Sequence, residues 1–405
     1  MPLDYDNPGG ETIEIAVKKR TASGDSVGSL FVNPGGPGGS GIELVESAGS
    51  YFSKNLTSSY DVVGFDPRGV GASTAVDCLT DAELDAERAG ANDPATPSAA
   101  ATQERAQKMG EACAAKTSPA GLLDHIDTIS AAKDLDILRA VDGQQTLTYL
   151  GFSYGTYLGA TYAELFPANT GRLVLDGAVD PSLSAEELTL GQAKGFEASL
   201  RAYVQSCQSS KLGCPLSGDV DSGVSQIREL LESTKAAPLP TSDDKRPLTY
   251  DLAVYGVLGS MYQTQLWPSL TLALSQAMGK MGNPDGSALL AIADAVSSRQ
   301  SDGSYSGNGA EALMAVNCLD YPVQGTTPPG RRTPRPSTRP RPPSAPSCST
   351  PTPTARAGAT RRAASARRSR PPAPHRSSWW APPATRPRPT PGPSRWPISS
   401  SPVSS

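Results

Sequence analysis

The sequence predicts an α/β fold, a mostly parallel sheet flanked by helices and carrying an inserted helical cap. Three observations predict it. From residue 1 to about 182, short apolar or alternating runs exchange with stretches of helical spacing, the pattern of strands and helices taking turns. Within that stretch, Gly151-Phe152-Ser153-Tyr154-Gly155 reads G-x-S-x-G, with a strand-like run before it and a helix-like run after it. A serine on a sharp strand-to-helix turn is the context in which this motif carries chemistry. From Leu183 to about Ala315 the strand signals fade and helical spacing dominates.

The elements follow in order. Pro2-Leu3-Asp4-Tyr5 turns at Gly9-Gly10 into the alternating run Thr12-Ile13-Glu14-Ile15-Ala16-Val17, read as a strand. Leu30-Phe31-Val32 is a second, apolar strand, and it runs into the glycine-rich loop Asn33-Pro34-Gly35-Gly36-Pro37-Gly38-Gly39-Ser40. Asp61 to Phe65 is a third strand; Asp66 and Arg68 in the turn after it are expected to hold the loop beneath the site. Helices are expected over Asp81 to Arg88, Gln103 to Ala115 and Asp127 to Val141. Leu147 to Leu150 is a buried strand, and Tyr154 to Phe166 a helix with Tyr154, Tyr157, Leu158, Thr161, Tyr162 and Leu165 along one face. Leu173 to Gly177 returns to the sheet. The cap helices are expected over Ala185 to Ser206, Val220 to Ser233, Leu252 to Met261, Pro268 to Met281 and Ala288 to Ser298. The division is therefore a core over 1–182, a cap over 183–315, a return to the core over 316–325, and a tail over 326–405. Such a cap shapes a substrate site and excludes water from it.

The glycines on either side of Ser153 permit a tight, strained turn that lifts the hydroxyl above the sheet at the positive end of a helix. Acyl transfer also needs backbone N–H groups aimed at the developing oxyanion. The expected donors are the N–H of Tyr154 and one from the glycine loop, assigned to Gly36. Alone, that loop reads as an ordinary Gly/Pro turn. It lacks the G-K-[ST] ending of a phosphate loop. No H-E-x-x-H spacing and no dinucleotide fingerprint occur, so no metal and no cofactor is expected.

These segments, in this order, resemble the α/β-hydrolase serine peptidases of the prolyl aminopeptidase class, and more closely the secreted tripeptidyl aminopeptidases of actinomycetes. The likeness covers residues 2 to 325 and rests on Pro2 to Tyr5, Asn33 to Ser40, Asp66 to Ser73, Gly151 to Gly159 and Leu173 to Gly177. Cys207 to Leu216 and Asn317 to Pro322 also fit. Prolyl aminopeptidases usually carry His at the start of the glycine loop, where this chain has Asn33, as expected of the tripeptidyl branch. The resemblance implies an α/β-hydrolase fold, Ser153 as nucleophile, an acyl-enzyme, and peptide substrates with free N-termini. An aminopeptidase also needs an anion for the substrate ammonium. Glu197, Glu311 and Asp320 are candidates, each set against the plainer reading of a solvated helix face.

After Gly325 the composition changes. Residues 326–405 hold 21 of the 38 prolines and 15 arginines, with no Lys, Asp or Glu, and only Ile398 and Val403 among Ile, Val, Leu, Phe and Tyr. Such a segment buries too little apolar surface to offset its ordering entropy, so disorder is expected. Yet the fold needs its catalytic Asp and then its His after the serine. The genetic code suggests why. Read one base back, the codons of Ser377 to Thr390 can encode VVVVGTTGDPATPY, and those of Pro391 to Ser405 AWAESLADQLESGVL: an apolar strand, a turn bearing Asp, and an amphipathic helix. Pro342 to Ala345 similarly gives PTFG. The expectation is a frame change near Gly325, the tail being out-of-frame translation and the true C-terminus lying beyond the present end. Without the tail's 15 arginines, 21 basic residues face 40 acidic ones, a formal charge of −19 for residues 1–325. A basic tail on an acidic body can be a nucleic-acid arm, but a Pro-rich, lysine-free run fits shifted GC-rich codons better, and no nucleic-acid partner is expected.

Of the two histidines, His125 precedes Ser153 beside a helix start, where a capping or surface role is expected, and His375 lies in the tail. No residue is identifiable as the catalytic Asp or His. A serine without a positioned imidazole is a poor nucleophile, so the chain as printed is expected to be inactive or nearly so. The alternatives are a lipase- or esterase-like hydrolase on the same fold and a non-catalytic binding remnant. Among the six cysteines, Cys207 with Cys214 and Cys78 with Cys113 are candidate disulfides; Cys318 is left over, its partner expected in the lost C-terminal part, and Cys348 lies in the tail. Sparse pairs suit an oxidising, extracellular setting, which the resemblance also implies. No signal peptide or membrane-spanning run is present, so an export signal upstream of Met1, no membrane partner and a monomer are expected.

Overall fold

A computed structural model describes residues 1–90, 98–210 and 213–321. The expected disordered tail and His375 lie outside the described residues, as do the shifted-frame segments. The sheet has five strands: β1 (Val17–Arg20), β2 (Ser29–Asn33), β3 (Asp61–Phe65), β4 (Leu147–Phe152) and β5 (Thr170–Asp176). Their order is β1-β3-β2-β4-β5, with β1 antiparallel to β3 and every other pairing parallel. Central β2 is buried along its whole length, and β1 is exposed along its whole length. The charges of Lys18, Lys19 and Arg20 protect that edge from pairing with another chain.

Alternation along the strands sends neighbouring side chains to opposite faces. Phe31, Val63, Phe65, Leu147 and Tyr149 join one core cluster; Leu30, Val32 and Val62 join another. The first cluster takes Ala131, Ala132 and Leu135 from α6 (Thr128–Val141) and Leu158 and Tyr162 from α7 (Tyr154–Leu165). The second takes Leu44 and Val45 from α1 (Gly41–Glu46). Between α1 and α6 lie α2 (Ala48–Tyr51), α3 (Lys54–Ser59), α4 (Asp81–Arg88) and α5 (Ala99–Lys116). Helices thus cover both faces of the sheet, as a parallel sheet requires.

The cap is helical: α8 (Ala185–Ser209), α9 (Val220–Ala236), α10 (Tyr250–Gly259), α11 (Trp267–Ala277) and α12 (Ser287–Val296). It has its own core, in which Tyr203, Ile227, Leu252, Leu270 and Leu289 are buried together. Capping residues set the starts. Ser184 with Glu187 forms a reciprocal capping box on α8, and Asp219 caps α9. The last helix, α13 (Gly309–Asp320), returns to the sheet domain, where Val316 enters the first cluster.

The first strand departs from expectation. Residues 12–16 do not form a strand; β1 begins only at Val17. Their backbone groups bond instead to a loop and to the N-terminus. Glu14 N–H donates to Thr74 Oγ1, Ala16 N–H to Ser73 Oγ, Thr74 N–H to the Glu14 carbonyl and Ile13 N–H to the Met1 carbonyl. Alternating hydrophobicity reported the burial of Ile13 correctly but not the partner of its backbone.

Arg68 holds these layers together. Its side chain and that of Asp134 on α6 are fully buried. Nε and Nη2 of Arg68 donate to the two Asp134 oxygens at 2.7 and 2.8 Å. The remaining donors reach the carbonyls of Leu3, His125 and Pro2 at 3.0, 2.7 and 3.1 Å. Tyr5 lies over the guanidinium and donates to Asp134 Oδ1. Disulfides join Cys78 to Cys113 and Cys207 to Cys214, and Cys318 is disulfide-bonded as well.

Arg68→Met leaves a carboxylate buried without its partner and three carbonyls without their donor. It should cost about 3–5 kcal/mol in urea unfolding, whereas Arg68→Met combined with Asp134→Leu should cost clearly less than the sum of the single changes.

Candidate active site

Ser153 sits between β4 and α7 with φ 52° and ψ −120°, one of two non-glycine residues at positive φ among the described residues. That backbone costs of order 1–3 kcal/mol and persists only where its surroundings hold it. The holding groups are visible. Ser153 N–H donates to the Asp176 carbonyl at the end of β5, and the Ser153 carbonyl accepts from the N–H and the Oγ1 of Thr156. Thr156 Oγ1 accepts in turn from Val179 N–H. The side chain of Ser153 is exposed, and no group among the described residues hydrogen-bonds its hydroxyl.

Close packing explains the motif's glycines. A Cβ on Gly155 would stand 2.8 Å from Asn33 Oδ1 and 2.9 Å from the Asn33 carbonyl, so the first turn of α7 can approach β2 only without one. Gly35 is pressed against the elbow: a Cβ there would stand 2.4 Å from the Phe152 carbonyl and 3.2 Å from Tyr154 N, and its φ is +94°. The glycine loop therefore brings its backbone directly beside the N–H of Tyr154. Asn33 fixes the loop's entry, its Oδ1 accepting from Gly35 N–H at 2.9 Å. Neither Gly36 N–H nor Tyr154 N–H donates to an acceptor among the described residues. Below the loop, Asp66 accepts from Ser40 Oγ, Ile42 N–H and Ala72 N–H, a structural role.

The other candidates are placed apart from Ser153 or engaged elsewhere. His125 serves through its carbonyl, bonded to Arg68. Glu197 is on the cap surface, paired with Arg201. Glu311 is buried and accepts from the N–H groups of Cys78 and Leu79, so it ties α13 to the segment before α4. Asp320 is half-buried at the end of α13, where its Oδ1 accepts from Thr128 N–H and its Oδ2 from Thr128 Oγ1. Neither Glu311 nor Asp320 is the solvated helix face that the plainer sequence reading gave it. Burial pushes the Asp320 carboxyl up to about 6 despite those two donors. Two residues of this neighbourhood had no sequence signal. Thr128 lay within the helix expected from Asp127, and Asn308, which donates to the carbonyls of Gly69 and Val76, was not singled out.

An exposed serine at a strained strand–helix junction, a glycine loop packed beside the next N–H, and a helical cap after the fifth strand define a class of α/β proteins. The chain belongs to the α/β-hydrolase fold family: that family's model matches residues 28–230. Serine protease Hip1 of Mycobacterium tuberculosis is 38% identical over 330 residues, 80% of this chain and 62% of that protein. Carboxylesterase B of the same organism is 35% identical over 326 residues, 80% of this chain and 61% of that protein. Tripeptidyl aminopeptidase of Streptomyces coelicolor is 41% identical over 191 residues, 45% of this chain and 34% of that protein. The chain thus spans under two thirds of the length of these curated relatives.

Two outcomes follow from this geometry. Gly155→Ala should destabilise by about 1–3 kcal/mol in urea unfolding through overpacking, while Gly191→Ala on α8, where nothing lies within 4 Å, should stabilise by about 0.5–1 kcal/mol. The second concerns pH. The folded Asp320 carboxyl keeps its proton to higher pH than its ordinary value of 3.8, so the folded state binds more protons than the unfolded one between 3.8 and about 6. Its contribution to stability therefore falls as pH rises through that window. Asp320→Asn should flatten the unfolding free energy across it; an unchanged pH dependence would refute the assignment.

Proposed function

We propose that this chain derives from a serine hydrolase that cleaves peptides near a free N-terminus through an acyl-enzyme on Ser153, with the N–H groups of Tyr154 and Gly36 as the oxyanion hole. The observation that carries this reading is the elbow itself. A strained backbone at Ser153 is held by four groups, the Asp176 carbonyl, the N–H and Oγ1 of Thr156 and the N–H of Val179, and it presents an exposed residue beside a glycine loop packed against the N–H of Tyr154. In the attack, the Ser153 oxygen would add to the scissile carbonyl, whose oxygen would then meet donors fixed before the reaction. The step also requires a base for the serine proton and an acid for the leaving amine. No histidine among the described residues is bonded to Ser153.

Three features favour a frame change near Gly325 as the reason. The composition switches there, and the shifted codons spell a strand, an Asp-bearing turn and a helix. Within the described residues, β5 is an edge strand with Val174 and Leu175 exposed, an apolar edge that a further strand would cover. The chain as printed would then be impaired. A relative named as a carboxylesterase favours one second reading, an esterase on the same fold.

The test is to sequence the coding DNA from the Gly325 codon onward, restore the frame, and assay the product. The expected product labels with a fluorophosphonate at Ser153 and prefers peptides with a free N-terminus over N-blocked peptides and acyl esters. Ser153→Ala should lower kcat by about 10⁴-fold or more. Preference for acyl esters would favour the esterase, and failure to label would favour a binding remnant. DNA that confirms the printed tail would identify a pseudoenzyme.

A further inference from the structure

A chain of hydrogen bonds, half-buried at Asp320 and buried at Thr128 and Tyr154, ends on the tyrosine that follows the serine. Asp320 Oδ2 accepts from Thr128 Oγ1 at 2.6 Å, and Thr128 Oγ1 lies 2.5 Å from the Tyr154 phenol. Thr128 is 1% exposed and Tyr154 8% exposed. The chain links three elements: the end of α13, the start of α6 and the first residue of α7.

Proton counting fixes its direction. An ionised carboxylate only accepts, and a threonine has one hydroxyl proton. Thr128 therefore donates to Asp320, and its oxygen accepts the phenol proton of Tyr154. Asp320 Oδ1 is already engaged by Thr128 N–H, so a proton arriving on the carboxyl belongs on Oδ2, facing Thr128. In that state the carboxylic acid can donate to Thr128, Thr128 can donate to the phenol, and the buried phenol proton has no further acceptor among the described residues.

We infer that Thr128 and Asp320 are positioning residues: through the Tyr154 phenol they hold the backbone N–H of Tyr154 in its oxyanion-binding place, and ionised Asp320 locks that arrangement while protonated Asp320 releases it. The inference deepens the proposed function and rests on it for the role of the Tyr154 N–H. The groups facing Asp320 are Asp127 and Thr128 from the start of α6, Tyr154 and Tyr157 from α7, and its neighbour Tyr321. Burial, which raises the Asp320 carboxyl to about 6, places the release near physiological pH.

The test has a structural and a kinetic part. The full chain, selectively labelled with ¹⁵N-tyrosine, gives a Tyr154 amide resonance identified by its loss in Tyr154→Phe. That resonance should titrate with a midpoint near 6 in the wild type, and the titration should vanish in Asp320→Asn and in Thr128→Val. An amide that does not move in the wild type, or that still titrates in Asp320→Asn or Thr128→Val, overturns the inference. Thr128→Val is close in shape to the native residue and serves if Asp320→Asn does not fold. In the frame-restored protein, Thr128→Val should lower kcat at unchanged KM, by less than the roughly 10²-fold lost with a whole oxyanion donor. Titration without any kcat effect would preserve the coupling and reject the oxyanion role of Tyr154. An inactive restored protein would instead count against the proposed function and leave the amide result standing.

Discussion

The buried ion pair between Arg68 and Asp134 is the constraint on which the rest of the sheet domain depends. A guanidinium with no solvent contact must have every donor engaged. This one engages a carboxylate on α6, two carbonyls near the N-terminus and a third just before α6. The N-terminus and the stretch from His125 to Asp134 are thereby fixed around one side chain in the loop after β3. The position of α6 is one consequence, and α6 carries Thr128 toward Tyr154 at its N-terminal end. The geometry at the serine is thus connected to a structural pair that never touches it.

The elbow shows how such rigidity is used. Ser153 has a backbone that L-residues avoid, and it is surrounded by groups that leave no lower-energy alternative: β5 through Asp176, Thr156 below, and Gly35 packed against the peptide that follows. Distortion of this kind is stable only in a close-packed setting. The cap stands on a hydrophobic core of its own, separate from both sheet clusters.

Much of this was legible in the sequence, for physical reasons that can be named. The central run Leu30-Phe31-Val32 is apolar because both faces of its strand are covered. The glycine loop and G-x-S-x-G were legible because close backbone approach admits no side chain. What the sequence concealed were partners. Residues 12–16 have the period of a strand yet bond to Met1, Ser73 and Thr74, and nothing local distinguishes those acceptors from a neighbouring strand. Glu311 and Asp320 read as anions for a substrate ammonium or, more plainly, as carboxylates on a solvated helix face, because the sequence pattern reports which face is apolar. It does not report which polar side chain finds a buried N–H to bond.

The structure separates two requirements that catalysis joins. Positioning is supplied by residues before Tyr321: the strained serine, the glycine loop, and a hydrogen-bond chain from Asp320 that ends one residue past the nucleophile. Proton transfer needs an imidazole and its carboxylate, and neither is identifiable against Ser153 among the described residues. The two are physically separable, because oxyanion stabilisation comes from fixed backbone dipoles and does not depend on a base. On the proposed reading, a sheet domain of this kind holds its backbone donors in place while the proton-transfer apparatus comes from a different stretch of chain. On that view the network around Asp320 belongs to the part that persists, because it ties the end of α13 to the start of α6 and, through Tyr154, to the core.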